Sequence, residues 1–138
     1  MEIRGFAKTV VTARPYDAIS RVACLMEEHN VGTVVIVDKN RPTGIITDRD
    51  VALELGARGT ALHAPASRVM TTPVETVSWT ANLVEVTESM RDLKVRRLVV
   101  VDDAGHVTGI VTLDDLLEII ADTMSNLVRG IGPEMMVK

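Results

Sequence analysis

Two seven-residue segments carry the residues best suited to chemistry, and both follow one pattern: Gly, two β-branched apolar residues, Thr, two further residues and Asp. They read GIITDRD at residues 44–50 and GIVTLDD at residues 109–115. Each segment is predicted to end a buried strand and open a helix, where backbone N–H groups can meet a phosphate. An Asp in the first helical turn can accept hydrogen bonds from both hydroxyls of a ribose, and Thr can donate its hydroxyl to ribose or phosphate. The pattern is consistent with two nucleotide-binding sites.

The same residues also fit a purely structural role. Thr followed three residues later by an acid, ahead of an apolar run, is typical of a capping box, in which the Thr hydroxyl accepts a backbone N–H of the first turn. The acid also favours the positive end of the helix dipole. Each box would contribute about 0.5–2 kcal/mol. From the residues alone, ligand binding and helix capping both remain open.

Cations that could balance a phosphate lie close to these segments in the sequence. Arg96 and Arg97 open a predicted strand in the second half of the chain, directly after Lys94 and Val95, and Arg49 lies inside the first segment. Lys94 and Arg96 are also typical of a solvated surface. For Arg97, a binding role and a surface role are both open.

Other site chemistries find little support in the sequence. The single cysteine, Cys24, excludes an internal disulfide and a cysteine-based zinc cluster, and its apolar neighbours predict a buried thiol. The three histidines show no His-x-x-x-His spacing, so we expect no metal site. No P-loop or nucleophile-elbow sequence is present, and the adjacent Asp114 and Asp115 point in different directions on a helix. We therefore expect no catalysis and no required cofactor.

The two segments belong to a longer internal repeat. Met26 and Met90 lie 64 positions apart, and around them apolar residues correspond at the same offset. After one extra residue in the turn near Gly105, the offset becomes 65, which relates Gly44 to Gly109. A repeat of this period indicates two copies of one supersecondary unit.

Each copy is predicted to have the order β-α-β-β-α, which gives an α/β (α+β) fold. Short strands are expected at residues 10–12 and 74–77, amphipathic helices from 17 and 83, and buried strands at 33–38 and 97–102. The repeated segments supply the return strands, and helices begin near Asp48 and Leu113. We assign residues 1–60 to the first motif, 61–129 to the second with its linker, and 130–138 to a C-terminal tail.

Bulk composition limits the setting of the protein. The 138 residues suffice for one compact domain or two small units that share a core. A net charge of −4 argues against general nucleic-acid binding, which needs a basic surface. No apolar run approaches the ~18–20 residues of a membrane span, and the N-terminus lacks a secretory signal. We expect a cytoplasmic protein without membrane or nucleic-acid partners.

Taken together, the repeat resembles a tandem CBS-domain pair, also called a Bateman module, over residues 8–129. The features that carry the resemblance recur in order at matching spacing: the two seven-residue segments, Val37-Asp38, Val101-Asp102, residues 95–98 and residues 68–71. The resemblance implies two motifs packed with pseudo-twofold symmetry, with two clefts between them. In this family such clefts often bind AMP, ADP, ATP, NAD or S-adenosylmethionine.

The resemblance also implies roles for individual residues. The ribose-binding acids would be Asp50 and Asp115, with the hydroxyls of Thr47 and Thr112 as partners. Adenine would contact apolar side chains and backbone, and Arg97 would join the ligand-binding set. The residues implied for adenine are Val11, Thr12, Val31 and Gly32 in one cleft and Val77, Ser78 and Val95 in the other.

Two departures from the family pattern have consequences. Gly32 and Thr33 stand where the second copy has Arg96 and Arg97, so we expect clefts of different charge and unequal affinity. Residues 4–8, which precede the first copy, also match residues 68–71, the lead-in segment that precedes the second copy, poorly.

Two hypotheses of function follow. In the first, the chain is a regulatory module that binds an adenine nucleotide and passes the change to a separate, unidentified effector protein. In the second, it is a structural dimeric adaptor without ligand, and the repeated segments serve only as caps. The apolar faces of residues 113–128 and 51–55 fit a homodimer in either case, since a monomer would expose them. An enzyme, such as a nucleotide hydrolase, has no visible catalytic set. The sequence does not determine which nucleotide binds.

Overall fold

The computed structural model describes residues 1–131, and its elements form two copies of one unit. The first copy contains β1 (Thr12–Ala13), α1 (Ile19–His29), β2 (Thr33–Asp38), β3 (Arg41–Thr47) and α2 (Asp48–Ala52), which continues as a π-helical turn, Leu53–Ala57. The second contains α3 (Ala66–Val69), β4 (Thr76–Ser78), α4 (Leu83–Leu93), β5 (Arg97–Val101), β6 (Val107–Thr112) and α5 (Leu113–Gly130). A short 3₁₀ turn, Ile3–Gly5, precedes β1. The predicted fold class is confirmed.

Each copy forms a three-stranded sheet, with the orders β1-β2-β3 and β4-β5-β6. The first and middle strands are parallel, and α1 or α4 makes the crossover that parallel pairing requires. The middle and last strands are antiparallel. Lys39 and Asn40, in the tight turn between β2 and β3, have φ angles of 51° and 63°, the left-handed region that such hairpin turns need.

The helix α1 covers one face of the first sheet. Its buried side chains, Ile19, Val22, Leu25 and Met26, pack on residues of β2 and β3 in one apolar cluster. The predicted helical spacing is right, but Cys24 is exposed rather than buried. The reason is geometric: Cys24 lies two residues beyond Val22, about 200° around the helix, on the solvent side.

The opposite faces of the two sheets pack on each other. Val35 of β2 and Val99 of β5 are fully buried at this contact and form an apolar cluster with Val107. Val34 and Ile36 point to the helix side instead, because successive side chains of a strand alternate between faces. Both faces of β2 are thus covered, which explains why the strand is almost entirely apolar.

The segment that precedes each copy packs against the other copy. Thr71, ahead of β4, pairs with Ile45 of β3, and Lys8, ahead of β1, pairs with Ile110 of β6. Ile3 is fully buried in the apolar cluster of the second copy. Residues 1–8 therefore complete the second copy in the way that residues 66–71 complete the first.

This exchange explains why glycine opens each repeated segment. A Cβ atom on Gly44 would lie 2.8 Å from the Met70 Cβ, and one on Gly109 would lie 3.0 Å from the Lys8 carbonyl oxygen. A side chain at Gly44 would collide with the crossing lead-in segment, and one at Gly109 would require that segment to shift. The sequence showed the glycines but not the segment that they admit.

The long helix α5 is mostly solvent-exposed. Only Leu116 is buried on it, whereas Leu117, Met124, Leu127 and Val128 are 54%, 62%, 66% and 68% exposed. Within residues 1–131, no helix combines the length and the apolar character needed to cross a membrane. Of the predicted tail, residues 130–138, Gly130 is the last residue of α5, and the residues beyond 131 lie outside the described residues.

Candidate functional site

Both repeated segments turn from a strand directly into a helix, and both form complete capping boxes. The Thr47 Oγ1 accepts the Asp50 N–H at 3.2 Å, and the Asp50 Oδ2 accepts the Thr47 N–H at 2.8 Å. Thr112 and Asp115 make the same pair of bonds, at 3.2 and 3.4 Å. The capping role predicted by one hypothesis is therefore present in both copies, where each box contributes about 0.5–2 kcal/mol.

Capping leaves part of the first pair available. Within residues 1–131, the Asp50 Oδ1 has no hydrogen-bond partner, and the Thr47 hydroxyl accepts a bond without donating its own proton. A free carboxylate oxygen accepts, and a free hydroxyl donates. Capping and ligand binding are thus compatible at this segment.

Asp50 and Thr47 face an open cleft of about 530 Å³, within the range of small-ligand sites. The first copy contributes the end of β3 and the start of α2. The second copy contributes the residues before β4 and the start of β5. The lining comprises residues 47–50, 73–75 and 95–97 with Ile45, Thr71 and Val99. The cleft lies between the two copies and belongs to both.

The residues that line this cleft include an apolar group and a charged group. Val74, Val95 and Pro73 are apolar, whereas the cations Arg49, Arg96 and Arg97 form no ion pair with any carboxylate of residues 1–131. The Arg97 Nε is buried and lacks a hydrogen-bond partner in the same range. The acids Asp48, Asp50 and Glu75 balance the three arginines formally, so the cleft has acidic and basic parts rather than one overall charge.

The sequence-predicted residues are distributed unevenly around the cleft. The structure brings Thr47 and Asp50 of one copy together with Val95 and Arg97 of the other. The remaining predicted residues do not line this cleft: Val11, Thr12, Val31, Gly32, Val77, Ser78, Thr112 and Asp115.

Near β4, the residues that reach the cleft are not the ones expected to contact adenine. Val77 packs in the helix-side core of its own copy, and the Ser78 hydroxyl bonds to that of Thr80. Val74 and Glu75 reach the cleft instead. Val74 is equivalent to Val10 at the repeat offset of 64, and both pack between the sheets. This equivalence does not mark Val74 as a residue of the cleft.

The two repeated segments, residues 44–50 and 109–115, each end in an acid and form two acidic segments. The second acidic segment has a different environment from the first. The Lys8 Nζ lies 2.6 Å from the Asp115 Oδ1, and the Asp115 side chain is only 12% exposed. The repeat relates Gly32 and Thr33 to Arg96 and Arg97, so this side lacks the guanidinium groups of the first cleft. The difference in charge between the two clefts stays a prediction.

The ion pair shifts the ionisation of both partners. Burial raises the pKa of the Asp115 carboxyl, but the hydrogen bond and charge of Lys8, together with the Thr112 hydroxyl, outweigh burial and hold that pKa below its ordinary value. The hydrogen bond from Lys8 to Asp115, aided by the carboxylate charge, raises the pKa of Lys8. Both groups are therefore charged at neutral pH.

The rest of the described chain offers no metal centre. Among residues 1–131, no three His, Cys, Asp or Glu side chains lie close enough together to hold a metal ion.

Both halves of the chain match one family model. Residues 3–57 and residues 66–122 each match the CBS domain. The chain belongs to the CBS domain family. The resemblance drawn from the repeated segments is confirmed, and the first CBS match includes most of residues 1–8, which the sequence pattern alone matched poorly.

Relatives differ in how much of their length this CBS pair represents. The CBS domain-containing protein YhcV of Bacillus subtilis is 36% identical over 121 residues, covering 88% of this chain and 84% of that protein. Protein MK0525 of Methanopyrus kandleri is 38% identical over 114 residues, which cover 81% of this chain but 58% of the relative.

Solved CBS structures share the fold closely. A CBS domain protein from Pyrobaculum aerophilum, complexed with AMP, has a TM-score of 0.73 and 26% identity, over 83% of this chain and 89% of that one. The CBS domain pair of protein MJ0100, complexed with 5′-methylthioadenosine and S-adenosyl-L-methionine, has a TM-score of 0.77 and 26% identity, over 89% and 98% of the chains.

Proposed function

We propose that this chain is a regulatory module that senses an adenosine-containing ligand bound in the cleft beside Asp50. One observation carries the proposal: a free carboxylate oxygen, a free hydroxyl proton, apolar walls and three arginines without ion pairs converge on one open cleft. The AMP complex of the P. aerophilum protein and the adenosine-containing ligands of MJ0100 support the same ligand class.

Each part of the ligand has a matching group. The Asp50 Oδ1 accepts from a ribose hydroxyl, and the Thr47 hydroxyl donates to the sugar. Val74 and Val95 provide apolar surface for the adenine ring. A phosphate lies toward the Arg97 guanidinium, which forms no ion pair among residues 1–131 and can donate charge-assisted hydrogen bonds.

Signalling follows from the position of the cleft between the two copies. A ligand that contacts β3 and α2 of one copy and β5 of the other favours the arrangement in which both sets of contacts form. Binding shifts the population only by the difference in affinity between arrangements. The shift is passed to a separate effector protein, which must bind the two arrangements with different affinity.

The exposed face of α5 supports a homodimer as part of the proposal. Leu117, Met124, Leu127 and Val128 form a continuous apolar stripe without a partner among residues 1–131. Contiguous apolar patches of this kind mark interaction sites, and a second copy supplies a matching stripe.

The proposal includes a cytoplasmic location and no catalytic step. The cytoplasm supplies the nucleotides, and a single exposed thiol is ordinary in a reducing compartment. Incubation with ATP and analysis of the products checks the second point, because any turnover above a protein-free control contradicts it.

Ligand-dependent thermal unfolding tests the sensor. AMP, ATP, NAD and S-adenosylmethionine are added separately, and a ligand at about 100 times its Kd stabilises the fold by about 2.7 kcal/mol. Asp50→Asn is expected to weaken binding at least tenfold, since it removes the charge that the ribose hydroxyls contact. The amide oxygen of Asn can still accept the Thr47 N–H, so the cap is retained.

Asp122→Asn, on the exposed part of α5, is the matched control and is expected to bind as the wild type does. If none of the four ligands shifts the unfolding temperature, the ligand-free adaptor is the better account of this chain.

A further inference from the structure

Lys8 and Thr71 occupy the same place in the two halves of the molecule. Lys8 exchanges a pair of backbone hydrogen bonds with Ile110, at 3.0 and 3.1 Å between N and O atoms. Thr71 exchanges the same pair with Ile45, at 2.9 and 3.1 Å. Since Ile45 and Ile110 are equivalent positions of the repeat, one lead-in residue stands beside each acidic segment. That residue is a lysine on one side and a threonine on the other.

The lysine occupies the acceptor that a ribose needs. The Lys8 ammonium lies 2.6 Å from the Asp115 Oδ1, while the other oxygen, Oδ2, accepts the Thr112 N–H at 3.4 Å. A hydrogen bond between two charged groups is stronger than one from a neutral hydroxyl. A sugar diol would therefore have to displace Lys8 to reach Asp115.

The first cleft has no such obstacle. Thr71 lines it together with Asp50, and a threonine carries no charge that could pair with the carboxylate. The Asp50 Oδ1 remains without a partner among residues 1–131. Two pseudo-equivalent acids thus differ in the lead-in residue that the other copy supplies.

We propose that the two clefts are divided in function: one adenosine ligand binds per chain, beside Asp50, while Lys8 closes the cleft beside Asp115. This inference rests on the proposed function and adds a specificity-determining pair, Lys8 and Thr71, to it. The cleft that accepts a ribose is the one whose lead-in segment lacks the lysine.

Calorimetric titration of the full chain with adenosine tests the division. Adenosine carries no phosphate, so the different arginine content of the two sides does not affect the comparison. The wild type is expected to bind one equivalent per chain, and Lys8→Thr is expected to bind two. The reciprocal change, Thr71→Lys, is expected to weaken the single site at least tenfold.

Further substitutions in the Lys8→Thr chain show where the second equivalent of adenosine binds. Adding Asp115→Asn to it is expected to remove the second equivalent and keep the first, whereas adding Asp50→Asn removes the first and keeps the second. Lys8→Met, which retains an aliphatic stem but no charge, is expected to behave as Lys8→Thr does.

Tryptophan fluorescence shows whether the lead-in segment stays packed in these variants. The Arg4 guanidinium lies 5.2 Å from the centre of the Trp79 ring, and Trp79 is the only tryptophan of the chain. An unchanged emission maximum in Lys8→Thr assigns any change in stoichiometry to the cleft rather than to loss of the segment.

Two results overturn the division while the proposed function stands: two adenosine equivalents in the wild type, or one equivalent in Lys8→Thr with the segment still packed. Loss of wild-type binding in Asp115→Asn but not in Asp50→Asn also overturns it. Absence of binding in the wild type and in Lys8→Thr contradicts the proposed function itself, and the division fails with it.

Discussion

Asp50 and Asp115 hold the same position in their repeats, yet the two carboxylates have different neighbours. Both cap the helix that they begin, with the same pair of bonds to Thr47 and Thr112. Asp50 keeps one oxygen free, whereas Asp115 is paired with Lys8. Helix capping and ligand binding are therefore not alternatives at the residue scale, and stability loss in an alanine variant of Asp50 would not distinguish them.

The Lys8–Asp115 pair predicts a pH-dependent contribution to stability. Because the pKa of Asp115 is lower in the folded state, the pair stabilises the fold above the ordinary carboxyl pKa and loses that effect as pH falls through the folded pKa. Because the pKa of Lys8 is raised, the effect persists until pH rises above the ordinary range of lysine. We expect Lys8→Met to be less stable than the wild type at pH 7 and equally stable below the folded pKa of Asp115.

Urea unfolding of both proteins between neutral and strongly acidic pH measures this difference. Arg129→Met removes an exposed cation that pairs with no carboxylate of residues 1–131, and serves as the control with a pH-independent difference. A constant gap between Lys8→Met and the wild type at all pH values would show that the ion pair contributes nothing to folding.

At the scale of elements, the lead-in segments connect the two copies. Each crosses the return strand of the opposite copy, and each does so over a glycine, Gly44 or Gly109. The apolar residue Ile3 anchors the first segment, and Ala66 is fully buried in the second. The return strands hold the acidic segments, so the lead-in contacts also help to position the site.

Gly44→Ala tests the close approach at β3. The new methyl group would lie 2.8 Å from the Met70 Cβ, and relieving this overlap is expected to lower the free energy of unfolding by about 1–3 kcal/mol. Urea denaturation gives the value. Gly56→Ala is the matched control, because nothing lies within 4 Å of its added methyl group, and we expect it to be neutral or stabilising by up to about 1 kcal/mol.

If Gly44→Ala is as stable as the wild type, then the glycine does not serve the crossing of the lead-in segment.

At the scale of the whole molecule, the cleft beside Asp50 and the apolar stripe of α5 lie on one framework. The sheets pack through Val35 and Val99, so a ligand between the copies acts on the contact that orients them. α5 begins within the second acidic segment and carries the stripe away from the core. A change in the relation of the copies therefore reaches the proposed dimer surface through one continuous helix.

Leu127→Glu tests the proposed homodimer. A charge within the stripe is expected to convert the dimer to monomer without unfolding the chain, because the Leu127 side chain is 66% exposed. Sedimentation equilibrium measures the mass, and thermal unfolding checks the fold. Asn126→Glu adds the same charge about 100° away around the helix, outside the stripe, and is expected to remain dimeric. A wild-type chain that sediments as a monomer at every concentration would contradict the dimer.

The sequence by itself determined the features that depend on local pattern. The repeat, the order of strands and helices, the start of α2 at Asp48 and of α5 at Leu113, and the two capping boxes follow from periodicity and side-chain chemistry within a few residues. The same residues carry the CBS resemblance that the family model confirms.

Only the tertiary structure decided which distant residues share a cleft. Asp50 faces Val95 and Arg97 of the opposite copy, and Lys8 reaches Asp115 across more than 100 positions of sequence. These contacts depend on how two sheets pack and on which lead-in segment crosses which strand. Local spacing does not encode that choice, because a repeat predicts equivalent surroundings for equivalent residues, and the packing of the two halves supplies different neighbours.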